Sequence, residues 1–238
     1  MLRPFYTWDT QQLPVAGAAR LWDNPFSDAF YPLYPLMIRL LAPLFLGNAL
    51  VAAWIISNVV SLAVPVYMYR LARQFWPADQ SVRIVVLLLA FPTAFFLSMA
   101  YTEPLFLALC LGAFVHLFRK DVLIASALCF LLPLTRAQAL LLLLPILVLF
   151  VQAGWGAKGN WREAARAYLP PAFATIAGVG AYLLFCWWQL GDPFAGLNAQ
   201  RFTISNYSLA NLLRPVEWFR ANFIDLTPVL HGYTQHHP

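Results

Sequence analysis

The chain has 238 residues, of which 61% are hydrophobic and 11% charged, and its formal net charge is +5. Soluble domains carry roughly 25% charged residues, so this composition excludes an ordinary water-soluble core. Nucleic-acid binding is also disfavoured, because the basic residues lie between apolar runs and form no single patch. Recurrent apolar runs with little polar sequence between them predict an all-α polytopic membrane protein.

The first 47 residues are predicted to form an external loop that ends in an interfacial helix. Residues 1–29 are polar to mixed and show no cleavable signal peptide, because no basic stretch precedes an apolar one. Residues 36–46 are apolar but contain Arg39 and Pro43. We therefore expect an amphipathic interfacial helix there, too short and too interrupted to span a membrane.

Residues 48–190 are predicted to hold the membrane spans of a single transmembrane domain. Full spans are expected at residues 48–69, at 83–100 with a kink at Pro92, at 102–118 and at 168–190. Residues 122–152 are predicted to form two short or broken helices with Arg136 near the bend, followed by a polar loop over residues 154–167. Gly191-Asp192-Pro193 is a turn signal, and residues 191–238 are assigned to an external loop and a C-terminal segment.

The distribution of lysine and arginine predicts which side of the membrane each loop faces. If Arg70, Arg73 and Arg83 are cytoplasmic and each run crosses once, the other strongly basic turns are cytoplasmic as well. That side then has a net charge of +5 and the opposite side a net charge of zero. The polar residues placed on the non-cytoplasmic side include Asp9, Glu103, Arg136, Asp192, Gln200 and Arg201. Carboxylate and guanidinium groups that converge there predict a site for a phosphate-bearing, hydroxyl-rich ligand.

Several short motifs occur in a fixed order along the chain. They are Trp8-Asp9; Phe30-Tyr31-Pro32-Leu33-Tyr34-Pro35; Ser57-Asn58; the segment from Phe91 to Phe106; Leu134-Thr135-Arg136; and Gly191-Asp192-Pro193-Phe194 with Ala199-Gln200 after it. The segment from Phe91 to Phe106 is the most specific of them, and the set covers residues 8–202. In this order the motifs resemble those of the PIG-V-like mannosyltransferases, the GPI mannosyltransferase 2 family and its bacterial relatives.

The resemblance implies a helical bundle of the GT-C membrane glycosyltransferase fold. Such enzymes take a sugar from a polyprenyl-phosphate carrier, typically dolichyl-phosphate mannose, and use an Asp or Glu of the first external loop as a base. The sequence departs from the family's motifs after Trp8-Asp9, at Pro104 and at Ala137-Gln138-Ala139. Because relatives have further spans at both ends, the resemblance also leads us to expect a truncated chain.

The candidate catalytic residues are Asp9 and Glu103. Asp9 would be the general base that removes the proton of an acceptor hydroxyl, a role that Asp23 or Asp28 could take instead. Glu103 would orient the acceptor or pair with Arg136, and at the start of a helix it also suits the helix dipole. Arg136 would clamp the donor phosphate, because guanidinium binds phosphate oxygens in a bidentate geometry. The alternative for Arg136 is a side chain that snorkels to the membrane interface.

Further candidates for substrate binding are Trp8, Tyr31, Tyr34, Tyr101, Asp192, Gln200 and Arg201. Asp192 equally suits a turn, and the two tyrosines between prolines equally suit a fixed loop shape. No cofactor and no metal is expected. The three cysteines lie in apolar runs without metal-like spacing, and no carboxylate or cysteine completes a ligand set with the three C-terminal histidines.

Together with the resemblance, which implies the sugar transfer and the lipid-linked donor, these observations predict transfer of a hexose, with mannose expected, from a polyprenyl-phosphate-linked donor to an acceptor hydroxyl on the extracytoplasmic face. The expected partners are the lipid-linked donor, the hydroxyl-bearing acceptor and membrane lipids, with no nucleic acid. The expected location is a bacterial inner (plasma) membrane, or the ER membrane of a eukaryote. Two alternatives stay open: a transporter or flippase for a lipid-linked sugar, and a non-catalytic membrane assembly subunit.

Overall fold

The computed structural model describes residues 31–155 and 159–196. These residues form helices and no strand, which confirms the all-α prediction for the part of the chain described. The chain divides into two compact units. One is Tyr31–Phe185, and of the other, which joins Met1–Phe30 to Cys186–Pro238, only residues 186–196 are described.

The first helix, α1 (Leu33–Leu41), buries Tyr34 and Ile38, which lie one turn apart on the same face. A 3-10 turn, Ala42–Phe45, follows directly and has Pro43 in its first two positions. A proline removes one N–H from the helical ladder, and this accompanies the change from α to 3-10 geometry. The short helix predicted at residues 36–46 is present. It begins three residues earlier than predicted and changes to 3-10 geometry at Ala42.

The next two helices, α2 (Ala49–Ser61) and α3 (Ala63–Ala72), together form a 24-residue apolar helix. The side chain of Asn48 caps its start by accepting the N–H of Val51 at 3.1 Å. Small side chains, Ala52 and Ala53, are fully buried. They allow neighbouring helices to approach closely.

The predicted kinked span at 83–100 is instead two helical segments joined by a sharp break. α4 (Ala78–Ala90) ends before Phe91, whose extended backbone (ψ 138°) is the conformation favoured before a proline. A 3-10 segment, Pro92–Ser98, then leaves at an angle of 81°. The chain therefore turns within the apolar run instead of continuing through it.

α5 (Glu103–Phe118) is the central helix of the first unit and contributes ten buried residues. The full span predicted at 102–118 is not found, because the 16 residues of this helix cover about 24 Å, less than the roughly 30 Å of a bilayer's hydrocarbon layer. The helix ends in a left-handed residue, Lys120 (φ 58°). The N–H of Asp121 returns to the carbonyl of His116 at 2.9 Å, so the last turn is closed by a Schellman-type motif.

The segment after α5 is broken near Arg136, as predicted, but only its first part is short, because residues Ala137–Trp155 are helical over 19 residues. α6 (Val122–Leu131) continues in a 3-10 turn, Leu132–Leu134, and α7 (Leu143–Trp155) is preceded by another, Ala137–Leu142. Arg136 lies between them in an extended conformation (φ −160°, ψ 148°).

The last described helix, α8 (Trp161–Leu190), has 30 residues. The predicted polar loop at 154–167 was too long, because the helix begins at Trp161. The side chain of Asn160 starts the helix early by accepting the N–H groups of Arg162 (3.0 Å) and Glu163 (3.4 Å). Further along, Gly178 touches the backbone of α6, where an added Cβ would lie 2.3 Å from the Phe130 carbonyl oxygen.

Three helices in the described part are long and apolar enough to cross a membrane: Ala49–Ala72, Ala137–Trp155 and Trp161–Leu190. The bent pair of α4 and Pro92–Ser98 would be a fourth if it forms one span. These lengths and compositions are compatible with a membrane protein.

Candidate functional site

A polar side chain in the middle of α2 holds the backbone that leads to Glu103. The hydroxyl of Ser57 donates to the carbonyl of Tyr101 (3.0 Å) and accepts the N–H of the same residue (3.3 Å). The same hydroxyl is 2.6 Å from that of Tyr34, which also donates to the carbonyl of Ala53 (2.9 Å). α1, α2 and the segment before α5 are therefore joined by one buried hydrogen-bond network.

An ion pair between Glu103 and Arg136 lies at the start of α5. Arg136 Nη2 donates to Glu103 Oε1 and to Thr102 Oγ1 (3.1 Å), and Arg136 Nε lies 3.4 Å from the same hydroxyl. The pairing considered as one of the roles of Glu103 is thus present. It joins the break before α5 to the bend between α6 and α7.

The pair is recessed along the bundle. Phe118, the last residue of α5, packs edge-on against Phe75, just beyond the end of α3, so both helices end at one level. Their starts are not level. Tyr101 is held by Ser57, which lies eight residues, or about 12 Å, beyond the start of α2. If Ala49–Ala72 crosses a membrane, Glu103 and Arg136 therefore lie within the apolar layer.

The hydrogen bonds of the pair leave part of each side chain available. Glu103 uses Oε1, whereas Oε2 is buried and has no hydrogen-bond partner among the described residues. Arg136 uses Nε and Nη2. The two side chains are 30% and 28% exposed, respectively. A ligand can therefore contact the exposed part of each side chain, whereas Glu103 Oε2 is reached only if its surroundings move.

Aromatic rings lie on the approach to the ion pair. Phe95 and Phe96 stack with ring centroids 4.3 Å apart, and Phe96 lies 5.8 Å from Tyr101. Phe95 and Tyr101 are about half exposed. Tyr101, a predicted substrate-binding residue, therefore presents its ring next to Thr102 while its backbone is fixed by α2.

The other predicted site residues have different surroundings. Tyr34 is buried and hydrogen-bonded within the network of α1 and α2, and Tyr31 stacks on Tyr182 with centroids 4.5 Å apart. Asp192, in the second unit, accepts the N–H of Phe194 at 2.9 Å, as in an Asx turn. Four further predicted residues lie outside the described residues: Trp8, Asp9, Gln200 and Arg201. Their contribution stays a prediction.

Two polar residues at the site were not among the predicted site residues. Thr102 orients Arg136, and Ser57 orients Tyr101. The signal for Ser57 was available, because Ser57-Asn58 interrupts an apolar span, where polar side chains usually hydrogen-bond across helices. Asn58 does so too, donating to the carbonyl of Ser98 at 3.2 Å.

Comparison of the chain with known proteins gives no match to a family model, to a curated protein or to a solved structure. The resemblance to the PIG-V-like mannosyltransferases therefore rests on the sequence motifs and stays an expectation.

Proposed function

We propose that the protein is an integral-membrane glycosyltransferase that moves a hexose from a polyprenyl-phosphate-linked donor to an acceptor hydroxyl. The observation that supports this most is the recessed ion pair of Glu103 and Arg136. Charges placed in an apolar layer cost free energy, and in membrane proteins they mark substrate sites or ion paths. This pair supplies the two groups that sugar transfer from a lipid phosphate requires, an anion-binding guanidinium and a carboxylate.

In the proposed reaction the acceptor oxygen attacks the anomeric carbon as the bond from that carbon to the donor phosphate breaks. Arg136 binds the phosphate and stabilises the charge that develops on it. The hydroxyl proton passes to a carboxylate acting as general base. Asp9 is one candidate, and Glu103 is the other because its Oε2 has no hydrogen-bond partner among the described residues. The polyprenyl-phosphate carrier and mannose as the sugar are both taken from the motif resemblance.

Incubation of purified protein with labelled polyprenyl-phosphate-mannose and a panel of hydroxyl acceptors tests the proposal. The informative variant is the double substitution Glu103→Gln with Arg136→Gln, because it removes both charges and leaves no single buried charge. We expect transfer to fall by roughly 100-fold or more. The control, Arg70→Gln on exposed α3 surface, should transfer at the parent rate. Parental turnover in the double variant would overturn the proposal.

The phosphate clamp has its own test in Arg136→Lys, which keeps the positive charge but loses the planar, bidentate donor. We expect the affinity for polyprenyl phosphate to fall by about tenfold in an equilibrium binding assay. Equal affinity in parent and variant would mean that Arg136 does not bind the donor phosphate.

A transporter or flippase for a lipid-linked sugar is the second candidate, and the 81° break between α4 and Pro92–Ser98 favours it. Secondary transporters form their binding sites from such discontinuous helices. Reconstituted vesicles with a labelled lipid-linked sugar separate the two. A transporter moves the lipid between leaflets without an acceptor, and its transport tolerates Asp9→Asn. A transferase with Asp9 as base consumes the donor only when an acceptor is present, and Asp9→Asn abolishes its turnover.

A further inference from the structure

The end of α7 and the start of α8 carry a firmly positioned group of tryptophan side chains. Trp161 lies flat against Gly154, where an added Cβ would come within 2.3 Å of the ring. Its ring is also 5.3 Å from Phe150 and 6.1 Å from Trp155. Trp155 is 78% exposed and Trp161 46% exposed. Exposed tryptophans at the end of an apolar helix are typical of the headgroup level of a membrane.

Two arginines lie immediately beyond these rings. Arg162 and Arg166 are four residues apart in α8, so they lie on one face, and both are exposed. The acidic residue between them, Glu163, is bound by Lys120 (Nζ–Oε1 3.0 Å). The hydrogen bond and the charge of Glu163 raise the pKa of the Lys120 ammonium group. Throughout residues 31–155 and 159–196, no carboxylate forms an ion pair with either arginine.

We propose that Trp155, Trp161, Arg162 and Arg166, the α7–α8 surface, bind the headgroup of an anionic phospholipid. Charge complementarity identifies this occupant, since two guanidinium groups with no carboxylate partner in the described chain lie beside rings suited to the headgroup region. Guanidinium groups bind phosphate oxygens in a bidentate geometry, and indole rings pack at the headgroup–acyl boundary. The hydrogen bonds of Asn160 and the contact of Trp161 with Gly154 fix the surface before lipid binds. The proposal is independent of sugar transfer.

The test is native mass spectrometry of the full chain in detergent with phosphatidylglycerol or phosphatidylcholine added. We expect the parent to bind phosphatidylglycerol more tightly than phosphatidylcholine. Arg162→Gln with Arg166→Gln should weaken phosphatidylglycerol binding by roughly 30-fold, since each cation near an anionic lipid contributes a few-fold to tenfold in affinity. The matched control, Arg70→Gln with Arg83→Gln, removes two exposed arginines from α3 and α4 and should change it by less than about threefold.

Three outcomes would overturn the proposal. The first is equal affinity of the parent for the two lipids. The second is an equal loss of phosphatidylglycerol affinity in the double glutamine variant and in its control. The third is displacement of phosphatidylglycerol by millimolar inorganic phosphate, which would indicate a site for free anions. Circular dichroism checks that the variants are folded. Should the double glutamine variant unfold, the single variants Arg162→Gln and Arg166→Gln replace it. Weaker phosphatidylglycerol binding in a folded single variant supports the proposal, and parental binding in both contradicts it.

Discussion

Glu103 and Arg136 stabilise each other as a pair, because each alone would be an uncompensated charge in poorly solvated surroundings. We therefore expect Glu103→Gln or Arg136→Gln to lower the free energy of unfolding by about 1–3 kcal/mol, less than for a fully buried pair because about 30% of each side chain is exposed. The double variant should recover most of that loss, since it removes both charges together. Denaturation in detergent measures all three. If the double variant were as unstable as the sum of the single ones, the two charges would not be energetically coupled.

Ser57 is the residue that links α1, α2 and the segment before α5. Ser57→Ala removes its bonds to the backbone of Tyr101 and to the hydroxyl of Tyr34. We expect a loss of about 1–3 kcal/mol, because part-buried donors and acceptors are left without a partner. Ser61→Ala is the matched control. Among the described residues the hydroxyl of Ser61 bonds to the carbonyl of Asn58, one turn back, so its loss should cost less than about 0.5 kcal/mol. The unfolding midpoints of the two variants are compared in the same detergent. Equal shifts would contradict the linking role of Ser57.

At the scale of the elements, the close contact of α8 with α6 depends on Gly178. A Cβ at this position would lie 2.3 Å from a backbone oxygen, that of Phe130, so a helix must move. Gly178→Ala should therefore destabilise the protein by about 1–3 kcal/mol. Gly180→Ala, two residues away, has nothing within 4 Å and should be neutral or stabilise by up to about 1 kcal/mol. Thermal unfolding of both variants is the measurement, and an unchanged midpoint for Gly178→Ala would mean that the helices are not in contact there.

The elements also show what an apolar pattern can and cannot predict. Apolar runs gave the helices, and Arg136 was correctly placed at a bend, because a charged residue between two short runs favours a break. The change of direction after Ala90 was predicted only as a kink. The angle of this break depends on where α2 holds residues 98–101, and such a contact between distant parts of the chain cannot be read from the local sequence. The start of α8 was placed too late, because Arg162 and Glu163 were assigned to a loop although Asn160 is a good cap.

For the molecule as a whole, the sequence predicted that Glu103 and Arg136 lie on the same side, and the structure brings them into contact. It did not predict their depth. That depth follows from two contacts between different helices, Ser57 with Tyr101 and Phe75 with Phe118, which no local pattern contains. The proposed site is therefore about 12 Å below the level at which α2 begins, and a ligand must reach it through water or along the aromatic rings.

Sugar transfer at Glu103 and Arg136 requires that water enter this recess from the side opposite the basic turns. The direct measurement uses Tyr101→Cys in a protein whose Cys110, Cys129 and Cys186 are replaced by alanine. A small charged thiol reagent is applied to intact cells, and its reaction with the new cysteine is measured. Arg70→Cys in the same background is the reference for the opposite side. We predict that Tyr101→Cys reacts from outside and that Arg70→Cys reacts only after the cells are permeabilised. Labelling of both positions only from the inside would contradict the account.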